Sequence, residues 1–199
     1  MISIPEDRRA EQGIWLFLAS LSVFFFSSIL LYAIYVLLRL GPEAGSVQLF
    51  RIPSSFVLTT VVLLATSGVL HLGLIAIRNE KQGIFRCCVL FAFGLSLLFL
   101  VLQTASMSWM LEQQMSSSTQ AKNLYGLTLV LVLLHALHVV GGVVGLTLLL
   151  FGLITSAYDH ERHFMVKGCV IYWHFLDVVW LVMLGSFLLA AWVSRAAPT

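Results

Sequence analysis

Five long apolar runs take up most of this chain and decide what it can fold into. They occupy residues 13–38, 54–77, 84–110, 124–153 and 169–193. Each has at least the ~20 residues a helix needs to cross a hydrocarbon core of about 30 Å. Only a structure that satisfies its own backbone hydrogen bonds survives in that medium, and for single apolar runs of this length that structure is the α-helix. The expected fold class is therefore all-α, a polytopic membrane protein built as a bundle of five transmembrane helices. With 60% hydrophobic and 10% charged residues and a mean hydropathy of +0.99, a water-soluble domain is excluded. The first run is far longer than the ~7–15 residues of a signal-peptide core, so it is expected to persist as a helix.

The charges lie at the ends of the runs and between them, which allows an orientation to be read. With a cytoplasmic N-terminus, the inner segments carry Arg8, Arg9, Arg78, Lys81, Arg86, Arg162 and Lys167. The outer ones carry Arg39, Arg51, Lys122 and Arg195. That is seven against four, a bias toward N-in, C-out. Residues 1–12 then form a short cytoplasmic head, residues 13–193 the membrane domain and residues 194–199 a short outer tail. Gly41, Pro42, Gly45 and Pro53 supply turn chemistry between the first two helices, and Arg78 to Gly83 reads as a tight inner hairpin. Residues 112–123, with three consecutive serines, read as a polar outer loop. The three cysteines, Cys87, Cys88 and Cys169, fall at inner helix ends, where an odd count argues for free thiols.

One acid breaks the pattern. Asp177 lies well inside the fifth run, where inserting a carboxyl costs roughly 2.5–3.5 kcal/mol. About a dozen aliphatic and aromatic residues around it more than offset that cost, so the helix still inserts. Three explanations stand side by side: a structural hydrogen bond to His174 or a neighbouring helix, pairing across a subunit contact, or a proton relay. His174 precedes Asp177 by three residues and shares its helical face. Trp173 and Trp180 flank that face.

The fourth run carries the second informative stretch, Leu134 to Gly145. Gly141 and Gly145 form a small-xxx-small pair, and His138 stands one turn before Gly141, so this face is expected to meet another helix. Counted from the helix ends at 1.5 Å per residue, His138 lies roughly 9 Å from the inner boundary, and His174 and Asp177 about 8 and 12 Å. A contact between His138 and the His174/Asp177 pair is the expectation that follows. The second run, with Thr59, Thr60, Thr66, Ser67, Gly68 and His71, is rich in the small and hydroxylated residues of close helix contacts and should pack inside the bundle. His71, His135, His138 and His174 are read either as interhelical hydrogen-bonding groups or as haem ligands of a small membrane cytochrome. No phosphate-binding loop, Cys-x-x-Cys, Ser-His-Asp order or basic aromatic strip for nucleic acid is present.

Residues 172–180, Tyr-Trp-His-Phe-Leu-Asp-Val-Val-Trp, resemble the last-helix signature of subunit III of the haem–copper terminal oxidases, Tyr-Trp-His-Phe-Val-Asp-Val-Val-Trp. His163 and Phe164 precede it at the family's spacing. Leu134 to Val139 is similar to the family's Phe-His-Gly-x-His-Val, with Ala136 in place of the glycine, and Tyr125-Gly126 also fits. Residues 13–20 with Phe24 and Phe25 are similar to its first shared helix, and five helices resemble the short bacterial form.

The resemblance implies a non-catalytic subunit in the bacterial plasma membrane that supports aerobic electron transport and proton uptake. It implies no catalytic, cofactor-binding or metal-binding residue in this chain, with haem and copper held by partner subunits I and II. It makes His135, His138, Tyr172, Trp173, His174, Asp177 and Trp180 contacts to phospholipid, to the bundle or to another subunit. Cytochrome c oxidase is the first reading; a quinol oxidase or a nitric-oxide reductase accessory protein is the alternative. Three positions depart from the family pattern: Leu21, Ser106 and Lys167 stand where its members often carry acids.

Overall fold

The computed structural model describes residues 5–39, 53–116, 119–154 and 164–196. They form five α-helices: α1 (Pro5–Arg39), α2 (Ser55–Arg78), α3 (Gln82–Ser116), α4 (Thr119–Ile154) and α5 (Phe164–Ala196). All five contain a stretch long and apolar enough to cross a membrane. The backbone extends beyond the apolar runs. α1 starts at Pro5 rather than Gly13, and at 35 residues α3 is about 52 Å long, well over the thickness of the hydrocarbon.

Most of the stretch read as a polar outer loop, residues 112–123, is therefore helix, with only residues 117–118 outside the described chain. Nothing in Glu112 to Met115 breaks a helix, and packing continues there. Met110, Leu124 and Tyr125 are buried, and a Cβ on Gly126 would stand 2.9 Å from the Gln114 side-chain nitrogen. The turn residues Gly41, Pro42 and Gly45, and His163, lie outside the described residues.

α2, α3, α4 and α5 close into a ring in which each touches its two neighbours. α1 lies outside that ring, against α4 and α5, and among the described residues it meets neither α2 nor α3. Lipid supplies no hydrophobic drive for helices to associate, so the contacts depend on fit and on polar pairs. α3 buries Phe85, Val89, Ala92, Ser96, Phe99, Gln103, Ser106 and Met110, an alternating three- and four-residue spacing that keeps one seam on its partners. Among the described residues, the side chains that α1 buries are Leu18, Phe25, Tyr32 and Val36, and it exposes large apolar side chains such as Phe17, Phe26 and Leu31, as a peripheral helix solvated by lipid does. α2 is the most enclosed along its span, with Thr59, Thr66 and Ser67 buried.

The α2–α3 hairpin closes as a Schellman motif. Lys81 N–H donates to Ala76 O at 2.9 Å and Glu80 N–H to Ile77 O at 3.1 Å, with Glu80 at φ 59°. The glycine of this turn, Gly83, is already helical, so a glutamate takes the left-handed position. Lys167 Nζ donates to Glu11 Oε1 at 2.8 Å, joining the first turns of the α1 and α5 spans. Ser106 Oγ donates to Ser55 Oγ at 2.8 Å. Ser106 and Lys167, two of the three positions at which the resemblance leads one to expect an acid, are thus filled by pairs of their own.

Candidate functional site

A polar cluster sits where α5 leans on α2. Asp177 is buried, its side chain 8% exposed, while the His174 side chain one turn earlier is 47% exposed. His174 Nδ1 lies 3.8 Å from Asp177 Oδ2 and 2.6 Å from Ser67 Oγ of α2. Ser67 thus holds, from α2, the same imidazole nitrogen that Asp177 approaches from within α5. His174 Nε2 lies 3.4 Å from Nδ1 of His71, one helical turn after Ser67, with the two rings 5.5 Å apart. The result is a hydrogen-bonded row, Ser67, His174, His71, running from the interior to the surface of the bundle, with Asp177 beside its inner end. Asp177 Oδ1 has no protein partner.

His138 is not part of it, contrary to the contact expected from matched depth. Its Nδ1 donates to Leu134 O of its own helix at 2.7 Å, and its ring meets Phe24 and Phe25 of α1, the latter with centroids 4.8 Å apart. The reason lies in α5. Tyr172 and His174 are two residues apart, about 200° of helix rotation. Because Tyr172 takes the α4 side, where its hydroxyl donates to His138 O at 2.8 Å, His174 must point away from α4. Depth places groups at a level; rotation decides whether they meet.

The other expected residues divide between these two sides of α5. Trp180 is buried and its Nε1 donates to Thr60 Oγ1 of α2 at 2.8 Å. His135 is wholly buried beside it, their ring centroids 5.1 Å apart, with Phe25 and Phe99 edge-on and no hydrogen-bond partner on either ring nitrogen. Trp173 lies against Gly142, where a Cβ would meet the indole at 3.1 Å. The same construction at Gly141 meets the Tyr172 hydroxyl at 3.4 Å and at Gly145 the Cys169 sulfur at 3.9 Å. The glycines of α4 do face α5, but the tightest approach falls on Gly142, between the two members of the expected pair.

Sequence reasoning missed the α2 half of the cluster. The signal was available: His71 lies about 9 Å from the inner end of its run, the same level as His174, and Ser67 is one turn away on the same face. It also missed Thr60 as the acceptor for Trp180, and Gln103, buried with both amide atoms unpartnered. The three cysteines are free, with Cys87 exposed and Cys88 and Cys169 half-buried. Among the described residues, no three His, Cys, Asp or Glu side chains converge as metal ligands would.

Between α1, α4 and α5 runs an apolar groove of about 420 Å³, lined by Ile14, Phe17, Gly141, Gly145, Met165 and Tyr172 among others. Its floor exists because the α4 glycines carry no side chain.

Comparison with known proteins adds the family context. The family model described as cytochrome c oxidase subunit III matches residues 8–193. A cytochrome c oxidase subunit 3 from Synechocystis sp. is 30% identical over 177 residues, covering 86% of this chain and 71% of the relative. One from Thermostichus vulcanus is 30% identical over 184 residues, covering 86% and 82%. A cytochrome bo(3) ubiquinol oxidase subunit 3 from Pseudomonas aeruginosa is 25% identical over 169 residues, covering 85% and 79%.

Proposed function

The chain belongs to the cytochrome c oxidase subunit III family, and from that premise we propose that it is the non-catalytic third subunit of a bacterial respiratory oxidase. It is a multi-pass membrane protein, and membership of the family implies association with catalytic subunits. In this reading it sits in the plasma membrane with its N-terminus inside and packs on subunits I and II, which carry the haem and copper. There it supports electron transfer to oxygen and the uptake of protons by the catalytic chain. The observation that carries the proposal is the match over residues 8–193, which takes in the signature at residues 172–180 and all five spans.

Within this reading the site residues are packing and contact groups. Tyr172, Trp173 and Trp180 lock α5 to α4 and α2; His135 fills an aromatic box; His138 seats α1. The enclosure of His135 by three aromatic rings speaks for packing rather than haem ligation. The α1/α4/α5 groove has the apolar lining to take a phospholipid acyl chain. The 25% identity to a ubiquinol oxidase subunit keeps a quinol as the alternative donor.

The test is extraction of the tagged chain from its own membranes in mild detergent. It is expected to bring down a haem-bearing subunit and, once separated from it, to show no Soret band. A solitary or pigmented chain would sink the proposal. Orientation is checked with a cysteine placed at Glu80, which an impermeant thiol reagent should reach only from the cytoplasmic face.

A further inference from the structure

Two imidazoles on the outer surface of a helix bundle, at hydrocarbon depth, are misplaced if lipid covers them. Ionisable residues in membrane helices nearly always face the bundle interior, a cavity or one another. His71 and His174 face each other, but both are exposed. They lie beside an opening that the fold creates. α5 touches α1 on one flank and α2 on the other, while α1 and α2 do not meet. A strip of α5 is therefore left open between them, carrying His174, Val178, Leu181 and Gly185, all exposed at helical spacing. On the α2 side, Gly68 is exposed one turn before His71, and nothing stands within 4 Å of a Cβ built on it or on Gly185.

The hydrogen bonding states what the missing neighbour must offer. Both nitrogens of His174 are engaged, by Ser67 and by His71. His71 Nε2 has no partner among the described residues. If Ser67 donates to His174, the proton order runs outward and His71 Nε2 carries hydrogen. If Ser67 accepts, Nε2 is left as an acceptor. A side-chain hydroxyl or carboxamide complements either tautomer; an acyl chain complements neither.

We propose that the α2/α5 seam around His71, His174 and Gly68 is the docking face for a transmembrane helix of the catalytic subunit, which reaches His71 with a hydroxyl or carboxamide side chain. Close approach at glycine combined with a polar bond is how helices associate in lipid. The inference rests on the reading that the chain is a subunit of an oxidase, and names the surface by which it joins.

Gly68→Leu tests it in the intact complex, with Gly94→Leu as control. Gly94, on α3, is equally exposed and open, but it sits on a helix whose backbone does not approach α5 and which, among the described residues, meets it through the buried Phe99 ring against Trp180. Gly68→Leu is expected to insert at wild-type levels and to lower recovery of the haem-bearing subunit at least tenfold, with Gly94→Leu unchanged. A photo-crosslinking residue at position 68 should form its adduct with that subunit, which reads the contact even if the leucine variant folds poorly. Wild-type recovery from Gly68→Leu, equal loss from Gly94→Leu, or an adduct only with lipid or a second copy overturns the docking face and leaves the family reading intact. Failure of the unmodified chain to bring down any haem protein overturns both.

Discussion

Gly142→Ala is the sharpest test of how α4 and α5 are held together. The added methyl would stand 3.1 Å from two carbons of the Trp173 indole and 3.3 Å from its nitrogen. Comfortable carbon contacts begin near 3.5 Å, so the ring or the helix must yield several tenths of an ångström. Trp173 is 0% exposed and is a large, rigid group, so it has nowhere to go without moving the helix. Overpacking of this kind costs about 1–3 kcal/mol. Alanine also gains up to about 1 kcal/mol over glycine in helix propensity, which would blur the result if Gly142→Ala were measured alone.

Gly145→Ala removes that ambiguity. It takes the same propensity gain on the same helix, one turn away, and its methyl meets only the Cys169 sulfur at 3.9 Å. The difference between the two variants isolates the contact, and we expect Gly142→Ala to be the less stable by about 1–3 kcal/mol. Reversible unfolding by SDS from mixed micelles, followed by tryptophan fluorescence, gives both values. Adding Trp173→Phe to Gly142→Ala should recover much of the difference, because the smaller ring vacates the space. If the two alanine variants agree within about 0.5 kcal/mol, the close approach is not what holds α4 to α5.

Four further outcomes follow from single contacts. Glu80→Gly should stabilise the chain by about 0.5–1 kcal/mol in the same unfolding assay, since it relieves a left-handed residue at φ 59°. Trp180→Phe and Thr60→Val should each cost about 1 kcal/mol beyond their packing change, with a coupling energy of that size in the double mutant, because each removes the same 2.8 Å bond. Lys167→Ala should change stability by no more than about 1 kcal/mol: both partners of its ion pair are more than a third exposed, and screening weakens such pairs. His135→Leu should leave the bundle as stable or slightly more so, since neither buried ring nitrogen has a protein partner to lose. A loss above about 2 kcal/mol there would reveal a partner that this chain does not provide.

What the sequence disclosed and what it withheld divide along a physical line. Hydrophobicity summed over twenty residues is an insensitive but robust quantity, and it located all five spans. Where a helix stops depends on local breakers and on packing past the bilayer, so the ends of α1, α3, α4 and α5 moved. Which helices are neighbours was less legible still. Small residues marked α2 and α4 as packed helices, yet nothing in the pattern singled out Gly142 over Gly141 and Gly145, because that choice depends on where one indole on α5 comes to rest.

Asp177 shows the same division at the level of one side chain. Its closeness to His174 follows from their three-residue spacing on a helix. The partner helix does not follow from depth, because on an up-and-down bundle His71 and His138 both reach the level of His174. The deciding constraint is angular. Once Tyr172 is committed to the carbonyl of His138, the 200° that separates it from His174 turns the imidazole and the acid toward α2. There the groups that wait are a hydroxyl and a second imidazole. A lone carboxyl in a membrane span therefore need not imply transport or catalysis. Here it lies beside a hydrogen-bonded row, Ser67, His174 and His71, that ties α5 to α2 and ends, at His71, on the surface where the proposed partner helix would continue it.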